Sequence, residues 1–301
     1  FIDDEILTTL EALRLPVSPL LDDSAYLRRV TLDLTGRLPT QAAIERQLGS
    51  DPPSRAQIVD ELLASEEFNE YWTLQLAKLL RIQPQGDGSM TAATTYNNWL
   101  KDQLKTQTGY DQLARDVILA SGDTESVGPA NFYRTVDGPR EQAEFMSELF
   151  MGSRLRCANC HNHPLDRWTQ DDYHGLAAIF ARLQTGRVIN PKPDGQVLHP
   201  RTLEKALCRI PGEYFLEDDA GDARQALADW LTDADNPYFA KAIVNRLWKT
   251  MLGRGLVEPA DDFRATNPAT HPALLDQLAA DFQANGYRLR HTLRLIANSA
   301  T

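Results

Sequence analysis

The stretch Asn236-Pro237-Tyr238-Phe239-Ala240-Lys241-Ala242-Ile243-Val244-Asn245-Arg246-Leu247-Trp248-Lys249-Thr250-Met251-Leu252-Gly253 decides the fold class. Phe239, Ile243, Leu247 and Met251 recur at every fourth position. In a helix of about 3.6 residues per turn that spacing lays them along one face. Asn236 before a proline supplies an N-cap and a first-turn signal, and Gly253 a stop. The same period recurs in Ile58-Val59-Leu62-Leu63 and in Trp99-Leu100-Leu104. Start signals accompany it, with Ser54 and Gln57 spaced as a capping box and Thr169 followed by Asp172. Gly36 and Asn285-Gly286 close further periodic stretches. Each apolar stripe reads as core packing, and the fold class is mainly α.

The exception runs from Gln184 to Leu216, where Gly186, Pro191, Pro193, Gly195, Pro200, Pro211 and Gly212 interrupt any helix. Short β-leaning pieces, Arg187-Val188-Ile189 and Glu213-Tyr214-Phe215, lie between them. This predicts a hairpin or extended flap, and a loop of that length is more often functional than idle. The expected organisation is a helical unit over 1–183, a β or irregular flap over 184–219, and a second helical unit over 220–301, beginning near Ala220.

Composition narrows the function. Of the 301 residues 42% are hydrophobic and 24% charged, ordinary for a globular protein. The balance of 31 Lys and Arg against 42 Asp and Glu gives a net charge of −11, which repels phosphate backbones and argues against nucleic-acid binding. Apolar runs such as Ile243 to Leu247 are too short and too interrupted to cross a bilayer. A chain that opens on Phe1 without a methionine is expected of a protein whose leader has been removed or whose end has been trimmed.

One pentapeptide dictates a chemistry. Cys157-Ala158-Asn159-Cys160-His161 has the C-x-x-C-H spacing of covalent c-type haem attachment. Two thiolates three positions apart reach the two vinyl groups on one porphyrin edge, and the next residue, His161, offers an imidazole to the iron as proximal ligand. Other readings stay open. Cys157 and Cys160, with His161 or His163 and the distant Cys208, have the ligand types of a closed Cys₃His zinc site. A C-x-x-C redox disulfide expects a βαβ context, which the pattern lacks. Surface thiols without a role are the last.

Around the motif, His163 is too close in sequence to His161 to reach the opposite face of one ring, and is expected to hydrogen-bond nearby or to serve as an alternative ligand. His199, on the flap in Leu198-His199-Pro200, is the candidate distal ligand, against an open site. Met146 and Met151 are expected to point into the core, and His174, His271 and His291 to be surface or capped histidines. Arg154, Arg156 and Arg167 bracket the motif and suit haem propionates, or balance an acidic surface. Trp168, Tyr173 and Phe180 would wall a ring, or fill a core. No G-x-S-x-G, H-E-x-x-H, P-loop or Rossmann glycine pattern is present. The pairs Asp261-Asp262 and Asp171-Asp172 read as solvated caps.

The stretch Tyr26-Leu27-Arg28-Arg29-Val30-Thr31-Leu32-Asp33-Leu34-Thr35-Gly36-Arg37-Leu38-Pro39-Thr40 resembles the opening signature of the planctomycete cytochrome-C-like family of secreted proteins, long a domain of unknown function. Its second signature resembles the segment from Cys157 through Asn162-His163-Pro164-Leu165-Asp166-Arg167-Trp168 to Tyr173, and the likeness covers roughly residues 1–183. From Ala228 onward the chain resembles that family's companion domain, through Asn236-Pro237-Tyr238-Phe239-Ala240, Val244-Asn245-Arg246-Leu247-Trp248 and Gly253-Arg254-Gly255-Leu256-Val257-Glu258-Pro259. In relatives that domain runs past a segment like Leu295-Ile296-Ala297-Asn298-Ser299, so a partial companion domain is expected here. Relatives carry a His-Pro step like His199-Pro200, and Cys208 has no counterpart.

The resemblance implies a periplasmic or secreted haem protein in genomes rich in polysaccharide-degrading enzymes, and supplies no established reaction. The expectation is a mainly α, extracytoplasmic monohaem c-type cytochrome: a helical cytochrome-c-like domain, a flap and a second helical domain. Its role is electron transfer to a redox partner protein, or haem-dependent oxidoreduction of a small-molecule or carbohydrate substrate. The alternative is a zinc-stabilised structural or carbohydrate-binding protein. The length around a single haem motif predicts a pocket at the domain junction, walled by the flap and by helices after Ala220.

Overall fold

The computed structural model describes residues 1–83, 90–217 and 221–300. Among them, in chain order, are α1 (Ile2–Ala12), α2 (Asp23–Thr35), α3 (Gln41–Gln47), α4 (Arg55–Ala64), α5 (Glu66–Leu79), α6 (Met90–Lys105) and α7 (Tyr110–Leu119). Then come α8 (Pro139–Met146), α9 (Gln170–Ala181), α10 (Ala223–Leu231), α11 (Phe239–Leu252), α12 (Pro272–Ala284) and α13 (Leu289–Ala297). Three short strands complete the framework: β1 (Gly122–Asp123), β2 (Leu183–Gln184) and β3 (Val188–Pro191), in antiparallel order β1-β3-β2. The fold is mainly α.

The helix signals act as their chemistry requires. Ser54 and Thr169 each close a capping box, with Gln57 and Asp172. Gly36 and Gly253 take φ values of 67° and 82°, left-handed conformations that only glycine adopts without a Cβ penalty. α11 starts later than the Asn236-Pro237 signal suggests. The cap position falls on Tyr238, which makes no side-chain cap bond, and Asn236 instead braces the turn before the helix, its Oδ1 accepting from the N–H groups of Tyr238 and Phe239 at 3.0 Å each. The expected start of the second helical unit, Ala220, lies outside the described residues, and α10 opens at Ala223.

One apolar core runs continuously from Ile2 to Ile296. Phe239, Ile243, Leu247 and Met251 of α11 are all buried in it, each worth roughly 1.5–3 kcal/mol of hydrophobic burial. Tyr110 of α7 stacks on Phe239 with ring centroids 5.2 Å apart, and Phe150 lies 6.2 Å from the same ring. Residues from before and after the flap are therefore packed together.

The approach to Cys157 is built from unusual turns. α8 passes into a single π-helical turn, Ser147–Met151, that ends at Gly152 with φ 62°. A side chain there would strike the ring of Phe263. Met146 and Met151 are fully buried, as their place on this helix predicts. The flap folds as short antiparallel pieces. β3 pairs with β1 and β2, and isolated bridges join Leu198 to Lys205 and Arg209 to Phe215. Ile189, Val197, Cys208 and Ile210 face inward, so the flap is packed rather than loose.

Candidate functional site

The pentapeptide sits on a 3₁₀ turn, Arg156–Asn159, with Cys160 at its end. Leu155 and Ala158 are buried, at 1% and 0% exposure, and Ala158 N–H donates to Leu155 O at 2.8 Å. With those two apolar residues fixing the inner side, Cys157, Cys160 and His161 are left exposed. Nδ1 of His161 lies 2.8 Å from the carbonyl oxygen of Asn162. A carbonyl only accepts, so Nδ1 carries the proton and the Nε2 lone pair is available to a metal.

The loop that follows closes on itself and on α9. His163 N–H donates to Trp168 O at 2.8 Å, and His163 Nδ1 accepts from Leu165 N–H at 3.2 Å. The Asn162 side chain accepts from Gln170 N–H at 3.0 Å. His174 Nε2 lies 3.0 Å from Asn159 O, and so donates to the motif's own backbone. The expectation of a surface or capped histidine fails at His174, which is fully buried. Burial holds its pKa below the ordinary histidine value, against the Asn159 bond, and keeps the ring neutral. Sequence carried a signal for this: from Tyr173 to Ala181 α9 is nearly all apolar, the mark of a helix buried on every side.

Asp172 is likewise buried rather than solvated, at 2% exposure. Its Oδ2 takes the Thr169 N–H and hydroxyl, both at 2.8 Å, and its Oδ1 takes Arg209 Nε and Gly212 N–H, also at 2.8 Å. Burial alone would raise this carboxyl, but the bonds from Thr169, Arg209 and Gly212 prevail and hold it below the carboxylate range. One side chain thus starts α9 and anchors the flap. His199 is brought to the same place. Its ring meets that of His174 at 5.2 Å, its Nε2 lies 3.4 Å from Asp171 Oδ1, and its Nδ1 accepts from Arg201 N–H. His163 and His199 are both near the motif, then, but the ring that His199 packs on is His174.

The family model PSCyt2, described as a protein of unknown function (DUF1549), matches residues 1–185. The chain belongs to the PSCyt2 family. A second model, PSD1, also described as a protein of unknown function (DUF1553), matches residues 223–301. Between the two matches lies residue span 186–222, most of the flap. No curated protein and no solved structure matches the chain.

The arginines of the PSCyt2 segment divide by occupation. Arg154 forms a bidentate pair with Asp261 at 2.7 and 3.0 Å. Arg167 donates to Gly212 O at 2.8 Å and lies over the Trp168 ring, so it ties the motif loop to the flap. Arg156 is 82% exposed, its one ionic partner among the described residues being Glu144 at 4.0 Å, and keeps its fork open to an anion. Trp168 is 1% exposed and packs against Tyr238 at 5.6 Å. With Tyr173 and Phe180 it belongs to the core.

Immediately after the motif, PSCyt2 and PSD1 residues enclose an open cleft of about 860 Å³. Leu165 and Arg167 line one side, and Tyr238, Lys241, Phe263 and Leu275 the other. The expected junction pocket exists, but the motif loop walls it and the flap does not. Cys208 is buried in the flap. Among the described residues no three His, Cys, Asp or Glu side chains gather as a metal-binding group.

Proposed function

We propose that this PSCyt2 protein is a monohaem c-type cytochrome with haem bound through Cys157 and Cys160 and with His161 as proximal ligand. The observation that carries the proposal is the motif's presentation. Both thiols and the imidazole project outward from one turn whose apolar residues anchor it, and His161 donates through Nδ1, leaving Nε2 for iron. These residues fit the group. A bound haem supplies one-electron chemistry at its iron. The chain's own part is to fix the turn through Leu155, Ala158 and the His174 bond to Asn159, to orient His161, and to offer Arg156 to a propionate. His199 remains the candidate sixth ligand, and in this structure its ring packs on that of His174.

Covalent haem attachment of this kind would call for maturation outside the cytoplasm, so the proposed location is the periplasm or beyond. The role is redox, with either a partner protein or a small molecule, carbohydrate included, as the other reactant. The open cleft beside Leu165 and Arg167 favours a small reactant over a bare carrier, because a carrier needs only a docking face.

Mass spectrometry of the denatured protein, produced with a haem-attachment system, tests this. One covalent haem is expected, lost in Cys157→Ala/Cys160→Ala, with reduced-minus-oxidised spectra of c-type haem. An apo mass with stoichiometric zinc in the native protein would overturn it in favour of the zinc reading.

A further inference from the structure

At the opposite end of α9 from the motif lies a second cavity, of about 280 Å³, between the start of α8 and the flap. It is near the small end of ligand-sized pockets. Its walls differ in character. Val136, Phe180 and Leu183 are apolar, while Gln142 and Lys192 bring donors.

Gln142 is 3% exposed, yet its Nε2 has no acceptor among the described residues. An amide donor left unpaired in the interior costs about 1–3 kcal/mol, which an acceptor entering the cavity would recover. Lys192 has no carboxylate partner among the described residues, although acids outnumber bases across the chain. Tyr133, also in the wall, already donates its hydroxyl to Ile118 O and adds no polar demand. Glu141 turns its carboxylate toward Gly138, so the start of α8 offers no free positive end. Thr185 and Gln196 add neutral polar groups to the wall, and Lys192 is its one cationic side chain among the lining residues.

We propose that this cavity binds a small organic acid, its carboxylate between Gln142 Nε2 and Lys192 and its apolar body against Val136, Phe180 and Leu183. The polar pair suits a carboxylate's two oxygens. The three apolar side chains give the body of an organic acid contacts that an inorganic ion cannot make.

Calorimetric titration of the intact protein with benzoate, phenylacetate and hexanoate, at fixed ionic strength, tests the site. At least one acid is expected to bind, with its neutral amide about tenfold weaker and inorganic phosphate silent. Lys192→Met, a half-buried position whose replacement leaves the core intact, is expected to weaken the acid about tenfold. Gln142→Leu should weaken it comparably and raise the melting temperature, since it removes the unpaired donor. The proposal is overturned if none of the three acids binds, if amide and acid bind alike, or if Lys192→Met leaves the affinity unchanged. Haem content plays no part in any of these readouts.

Discussion

His174 Nε2 lies 3.0 Å from the carbonyl oxygen of Asn159, so a fully buried side chain of α9 holds the turn that carries both motif cysteines. Replacing it with leucine leaves the Asn159 carbonyl without that donor and the turn without its inner tether. Denaturant unfolding should show a loss of about 1–3 kcal/mol. Hydrogen exchange should rise first over residues 156–163. His174→Gln, which can still donate, is expected to recover part of both.

The same histidine sets a pH limit. Its folded pKa lies below the ordinary value of 6.5, with burial the principal cause. The unfolded chain therefore takes up the proton first, and stability is complete above about pH 6.5 and falls as pH drops toward the folded value. Thermal melts between pH 7 and 5 should show that fall in the wild type. The slope should be shallower in His174→Gln.

Gly175 tests how closely α9 and the flap approach. A Cβ there would collide with Arg209 Cβ and sit 3.1 Å from both Arg209 N and Leu207 O, where backbone cannot give way cheaply. Gly175→Ala should cost about 1–3 kcal/mol as overpacking. It should also open the flap to limited proteolysis near 198–207, with the helical core left intact. Unchanged protection would mean that the flap yields without leaving α9.

Much of this architecture was legible from local chemistry. The Ser54 and Thr169 boxes, Gly36 and Gly253, and the α11 stripe act within a few residues, and each sits where its pattern places it. What stayed hidden depends on partners distant in sequence. Asp172 looked like an exposed cap because Arg209 and Gly212, which bury and satisfy it, arrive from the flap. The apolar run of α9 signalled the burial of His174, but its partners, Asn159 and His199, meet it only in the folded chain. Trp168 and Arg167 belong to a haem-like pattern in sequence, yet the first packs into the core and the second holds Gly212. The motif itself was readable because its chemistry is contained in five residues.

Asp172 and Arg209 form the flap's principal anchor, at 2.8 Å with the carboxylate 3% and the guanidinium side chain 19% exposed. Removing one member of such a pair strands the other, at about 3–5 kcal/mol. Asp172→Asn should approach that loss, because the amide keeps the shape without the charge. The carboxyl's folded pKa lies below its ordinary value of 3.8. Its contribution is therefore present above that value and lost as pH falls through the folded one. In acid titrations the wild type's stability advantage over Asp172→Asn should start to shrink as pH falls past 3.8 and go on shrinking below it; an advantage that stays constant as the pH is lowered would place the stabilisation elsewhere.

Arg246 of α11 joins the two matched segments through backbone rather than side chains. Its Nη1 and Nη2 donate to Leu149 O and Glu148 O, both at 2.6 Å, within the π-helical turn that leads to the motif. Burial lowers its pKa from the ordinary arginine value, but a guanidinium remains protonated and needs these acceptors. A π turn leaves carbonyls that a regular helix would pair, and the planar fork matches two neighbouring ones. Arg246→Met preserves most of the apolar stem and abandons both carbonyls. The expected cost is about 2–5 kcal/mol, with hydrogen exchange rising across residues 147–157. Arg246→Lys keeps the charge and loses the fork, so it should fall between the two. If lysine restores full stability, charge rather than fork geometry holds the turn.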